Sequence, residues 1–139
     1  MPADSRTDPS RTGPPLTVLL AEDEDGVRAF VRQVLEHAGH TVVAAADAAA
    51  AERAFRAEPD RFDLLLTDVV MPGRSGAELA AALRSVRPHL RVLFMSGFPG
   101  SPNHAPVVLP PGSALLDKPF SIDRLLQAVA AAAGNHPPG

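Results

Sequence analysis

Residues 64–73 read Leu64-Leu65-Leu66-Thr67-Asp68-Val69-Val70-Met71-Pro72-Gly73. A short unbroken apolar run signals a strand buried on both faces, as the strands of parallel sheets are. A carboxylate inside such a strand would be costly. Here the acid falls where the strand should end, and Pro72-Gly73 marks the exit into a turn. In an open α/β sheet, that carboxyl edge is where ligands bind. Asp68 therefore stands where a reactive group would, although the position also suits an Asp that only caps a turn.

Working outward, the same grammar recurs. Leu16-Thr17-Val18-Leu19-Leu20-Ala21 reads as a first buried strand and runs into four consecutive acids, Glu22-Asp23-Glu24-Asp25. Two like charges about 4 Å apart repel by about 1 kcal/mol in water and about 4 kcal/mol at an effective dielectric of 20. Either the N-terminal dipole of the next helix or a bound cation must offset this. That helix begins near Asp25, with Val27, Phe30, Val31, Val34, Leu35 and Ala38 at helical spacing and Gly39 as its stop. Thr41–Ala44 reads as a second strand. Asp47 caps an Ala-rich helix that Pro59 must end. Phe62–Thr67 is the third strand. Ser75-Gly76-Ala77-Glu78 is a capping box opening a helix whose Leu79, Leu83 and Val86 point inward. Arg91–Met95 is a fourth strand ending at Ser96, and Ala114–Leu116 a short fifth one ending before Asp117-Lys118-Pro119. Ser121 caps a last helix carrying Ile122, Leu125, Leu126 and Val129 on one face.

Strands alternating with amphipathic helices specify a parallel sheet with right-handed crossovers. The expected fold is α/β, flavodoxin-like and doubly wound, with five strands in the order 2-1-3-4-5 and a ligand crevice between strands 1 and 3. Residues 16–133 form one domain in this reading, with disordered tails at 1–15 and 134–139. The 139-residue chain is 45% hydrophobic, has no cysteine and carries a formal net charge of −3. That excludes a disulfide framework and thiolate metal sites, and it makes nucleic acid a poor direct partner. No apolar run has the roughly 20 residues of a membrane span, and the N-terminus lacks the pattern of a signal peptide. A cytoplasmic location is the expectation.

Four polar features fall at one edge of this sheet: Glu22 and Asp23 after strand 1, Asp68 after strand 3, Ser96 after strand 4 and Lys118 after strand 5. Carboxylates without sulfur or imidazole suit a hard, oxygen-loving cation such as Mg²⁺. A lysine and a hydroxyl facing them suit an anion. Together they describe phosphoryl chemistry, in which a carboxylate can take the phosphoryl group covalently.

With these motifs in place, the chain resembles the receiver domain of two-component response regulators. The resemblance covers about Leu16 to Ala133. It rests on Leu19-Leu20-Ala21-Glu22-Asp23-Glu24, Leu66–Gly73, Met95-Ser96-Gly97 and Lys118-Pro119-Phe120. It implies that Asp68 accepts a phosphoryl group from a phosphohistidine on a histidine kinase or phosphotransfer protein. It implies that Asp23, Asp68 and the Val70 carbonyl bind Mg²⁺ directly and Glu22 through water. Ser96 would close onto the phosphoryl group, Lys118 would pair with it, and the Lys118–Pro119 bond would be cis. Such a domain catalyses only its own phosphorylation and dephosphorylation. With no DNA-binding segment after the last helix, output by protein contact or by draining phosphoryl groups off a kinase is expected. The Met95-Ser96-Gly97-Phe98 context is similar to receivers attached to hybrid histidine kinases, and homodimerisation is left open.

Two departures stand out. The family usually has an aromatic residue where this chain has Leu115. The helix expected between strands 4 and 5, the family's fourth, falls on Phe98–Pro111, which holds five prolines. Each interior proline costs a helix about 3 kcal/mol. That helix is expected to be degraded or missing, reduced to a single turn near Pro102–Ala105, with Val107, Val108 and Leu109 lying across the edge beside strand 5. Two alternatives compete with the receiver. An aspartyl-nucleophile phosphatase would carry a second Asp two residues after the first, where Val70 stands. A pseudo-receiver serving as an interaction module would not need the intact acids and lysine.

Overall fold

The computed structural model describes residues 14–97, 109–110 and 113–134. In chain order these form β1 (Thr17–Ala21), α1 (Asp25–His37), β2 (Thr41–Ala45), α2 (Ala48–Ala57), β3 (Leu64–Asp68), α3 (Gly76–Arg84), β4 (Arg91–Ser96), β5 (Ala114–Asp117) and α4 (Ile122–Gly134). The strands make one sheet in the order β2-β1-β3-β4-β5, and every pairing is parallel. This is the expected doubly wound order, with β3 at its centre.

The sheet divides the core by the period-2 alternation of side chains. Leu19, Leu65, Val92 and Phe94 face α2 and α3, where Ala51, Phe55, Leu79 and Leu83 close over them. Val18, Leu20, Leu64, Leu66, Leu93, Met95 and Leu116 face α1 and α4, where Val31, Leu35, Leu125 and Val129 meet them. Every residue of β3 is buried, which explains its uninterrupted apolar reading. Among the described residues no helix is long and apolar enough to cross a membrane.

Several local readings hold at the level of single bonds. The Asp47 side chain accepts from the Ala50 N–H at 2.8 Å, and Ser75 and Glu78 form both halves of the capping box at 3.1 and 2.9 Å. Ser121 Oγ accepts from the Arg124 N–H. Others need correction. Phe62 lies before β3 as a core side chain in its own right, stacked on Phe55 at a centroid distance of 5.9 Å, while β3 continues through Asp68 itself. Val86 falls beyond the end of α3 and is 38% exposed. Ile122 opens α4 and is 52% exposed, because the buried stripe of that helix starts at Leu125. Helix α4 extends to Gly134, one residue past the expected domain edge. Of the tail readings for 1–15 and 134–139, residues 1–13 and 135–139 lie outside the described residues, and Gly134 belongs to α4. So does most of the reading for 98–111. Of that stretch, Leu109 packs against the α2–α3 half of the core.

The turn after β3 is built on glycine at two points. Gly73 has φ of +84°, a conformation glycine adopts without the clash a Cβ would bring. Gly76, the first residue of α3, lies against β3 so closely that a Cβ there would come 1.9 Å from the Asp68 carbonyl oxygen. Backbone cannot yield as a flexible side chain would. Gly76→Ala is therefore expected to destabilise the fold by about 1–3 kcal/mol, as overpacking does, measurable as a fall in the urea midpoint. An unchanged midpoint would show that α3 can shift away freely.

Candidate functional site

Sheet register assembles the site. Ala21 pairs with Thr67, so Glu22 and Asp68 come next on adjacent strands. Asp68 is opposite Met95, and Ser96 is opposite Asp117. The Lys118 N–H donates to the Ser96 carbonyl at 2.8 Å, carrying the pairing one residue further. Four strand ends thus converge with the fifth lying outside β1. The Lys118–Pro119 peptide is cis.

At the centre, Lys118 Nζ lies 2.7 Å from Asp68 Oδ1 and 2.8 Å from Glu22 Oε1, with Glu24 Oε1 at 3.8 Å. Glu22 is fully buried and Asp68 only 3% exposed. Burial first, and the neighbouring Glu22 carboxyl second, push the Asp68 pKa up to about 9; the Lys118 ammonium pulls the other way without cancelling them. Burial works against the charge on Lys118, but its hydrogen bonds to Asp68 and Glu22 outweigh that and raise its pKa above the usual lysine value.

One ammonium does not satisfy this cluster. Asp23 Oδ1 and Asp68 Oδ2 are buried without a hydrogen-bond partner, a costly state for carboxyl oxygens. Carboxyl oxygens of Glu22, Asp23 and Asp68 lie within 4.8 Å of one another. Hard oxygen donors in one group, two of them with free lone pairs, fit a small divalent cation.

The run of four acids divides its work. Glu22 and Asp23 face the site. Glu22 Oε2 also accepts the Glu24 N–H at 3.0 Å. Asp25 leaves the cluster to pair with Arg28 at 2.5 Å, and Arg28 also donates to the Glu22 carbonyl. Arg28 was not singled out by sequence reasoning; its signal was the i,i+3 spacing from Asp25 inside α1. Ser96 sits at the right strand end, but its hydroxyl donates to the Gly97 carbonyl at 3.2 Å. Val70 lies in the turn after β3, half-buried against the α2–α3 core. Leu115 is 48% exposed. Glu52, on α2, was also passed over: it accepts from Arg74 Nη1 of the β3–α3 turn at 2.6 Å and from Arg56 Nε at 2.7 Å.

A doubly wound parallel sheet, with a buried aspartate ending its central strand, acids just after the neighbouring strand and a lysine beside them, defines an α/β domain with an aspartate-centred acidic site at the carboxyl edge of its sheet. The match to the family model of the response regulator receiver domain spans residues 18–130, and the chain belongs to that family. It is 36% identical over 112 residues to the response regulator receiver protein CpdR of Brucella abortus (strain 2308), covering 81% of this chain and 92% of that protein. It is 34% identical over 113 residues to the sensor kinase CckA of the same organism, covering 81% of this chain but 12% of the kinase. Among solved structures, the receiver domain of the hybrid histidine kinase CckA superposes with a TM-score of 0.71 at 31% identity, covering 84% of this chain and 98% of that one. The chemotaxis protein CheY4 of Vibrio cholerae gives 0.71 at 25%, covering 86% and 99%.

Proposed function

We propose that this receiver domain takes a phosphoryl group onto Asp68 from a phosphohistidine of a histidine kinase or phosphotransfer protein, in a Mg²⁺-dependent reaction. The observation that carries the reading is the pair of buried, unpartnered oxygens, Asp23 Oδ1 and Asp68 Oδ2, in an acidic cluster whose Asp68 also pairs with the Lys118 ammonium. In the transfer, the P–N bond to imidazole breaks with its electron pair leaving on nitrogen, and an Asp68 carboxylate oxygen forms the new P–O bond. Asp68 must be ionised to attack, and Lys118 at 2.7 Å favours that form. Bound among Glu22, Asp23, Asp68 and the Val70 carbonyl, Mg²⁺ would supply positive charge against the carboxylate and the transferring oxygens. Lys118, already held between Asp68 and Glu22, is placed to follow the charge onto the phosphoryl group. The Ser96 hydroxyl, which donates to the Gly97 carbonyl in the structure, would donate to that group instead.

In this reading the domain turns over no outside substrate and works in the cytoplasm, its output a contact with another protein. The test is to incubate the protein with Mg²⁺ and a small acyl phosphate and weigh it intact. The expected result is one added, base-labile phosphoryl group that requires Mg²⁺. Steady turnover of the donor would favour the phosphatase alternative, and an unchanged mass the pseudo-receiver.

A further inference from the structure

The β3–α3 turn, residues 69–75, carries the Val70 carbonyl, and its placement decides whether that oxygen can join the carboxylates. Backbone bonds hold its two ends: the Val69 N–H donates to the Met95 carbonyl, and the Gly76 N–H donates to the Val69 carbonyl, both at 2.9 Å. Val69 and Met71 are buried in the core. The outer limb beyond Pro72 has a different attachment. Arg74 Nη1 reaches across to Glu52 Oε1 on α2 at 2.6 Å. Both oxygens of Glu52 are engaged, the second by Arg56 Nε at 2.7 Å. These two guanidinium groups, Arg56 foremost, hold the Glu52 carboxyl below the usual range. Helix α2 is itself fixed on the sheet by Ala48, Ala51 and Phe55.

We infer that Glu52, acting through Arg74, is a positioning residue that pins the outer limb of the β3–α3 turn to α2 and so sets the geometry of the Val70 carbonyl. Glu52 touches no reacting group, and its effect reaches the site only along the chain from Arg74 to Val70. The link to metal rests on the function proposed above; the pinning itself does not. Arg56 supplies an internal control, because it binds the same carboxylate from within α2 without touching the turn.

Hydrogen exchange on the metal-free protein tests the pinning directly. Glu52→Gln and Arg74→Gln are each expected to speed exchange of the amides of 70–75 by about two- to fivefold, the range a partly exposed ion pair supports. Arg56→Gln should leave those amides unchanged, and Arg74→Lys should restore part of the protection. Calorimetric titration with Mg²⁺ alone should show a similar weakening in Glu52→Gln and Arg74→Gln, absent in Arg56→Gln. Equal behaviour of Arg56→Gln and Arg74→Gln in exchange, or no change in either, would overturn the inference. Failure of the wild type to bind Mg²⁺, with the exchange pattern intact, would instead count against the metal reading and leave the pinning standing.

Discussion

Mg²⁺ is expected to raise the melting temperature of the metal-free protein by roughly 5–20 °C at a hundredfold excess over its dissociation constant. A ligand that binds only the folded state stabilises it by about 2.7 kcal/mol at that excess, and each kcal/mol moves the midpoint of a domain this size by a few degrees. The expectation is pH-dependent, with a definite sign. In the folded metal-free protein, burial and Glu22 hold the proton on Asp68 up to about pH 9. An unfolded chain releases it near pH 4. Between those values the unfolded state binds fewer protons, so metal-free stability falls as pH rises. A cation must displace the Asp68 proton below about pH 9, so its stabilising effect should grow from pH 6 to pH 9. Asp23→Ala, which removes one unpartnered oxygen, should lose most of the shift. A shift of equal size in Asp23→Ala would place the cation elsewhere.

Asp68→Asn should abolish phosphoryl uptake from both a small acyl phosphate and a cognate phosphohistidine. An amide oxygen cannot form the acyl phosphate, and among the described residues no other carboxyl both ends the central strand and pairs with Lys118. The fold should survive, because the amide is nearly isosteric and neutral where a buried carboxyl was strained. Without metal, the variant should match or exceed the wild type in stability at pH 8 and should lose most of the downward slope with pH. Circular dichroism melts and intact mass measured on the same samples separate loss of chemistry from loss of fold. Undiminished labelling of Asp68→Asn would remove Asp68 as the acceptor.

The sheet order, the two-faced burial of the strands and the gathering of Glu22, Asp23, Asp68, Ser96 and Lys118 at one edge were legible because each depends on local pattern. Apolar runs end at polar residues, and parallel topology brings those ends together. What was not legible depends on side chains meeting across space. The separation of 22 positions between Glu52 and Arg74 has no periodic signal. The reach of Arg28 from α1 back to the Glu22 carbonyl is likewise a contact that no apolar pattern encodes. Val86 and Ile122 misled for the opposite reason. Their spacing fits a helical face, but one lies past a helix end and the other on a first turn outside the packed stripe.

The acceptor and its counter-ion are mounted on unlike supports. Asp68 ends a strand whose five residues are all buried, whereas Lys118 follows the four-residue edge strand β5, in which only Leu116 is buried. The carboxylate side is rooted in the buried centre of the sheet and the ammonium side at its edge. The two sides of the Asp68–Lys118 ion pair therefore differ in depth: one stands on the buried middle of the sheet, the other next to an edge strand whose Leu115 is turned to solvent.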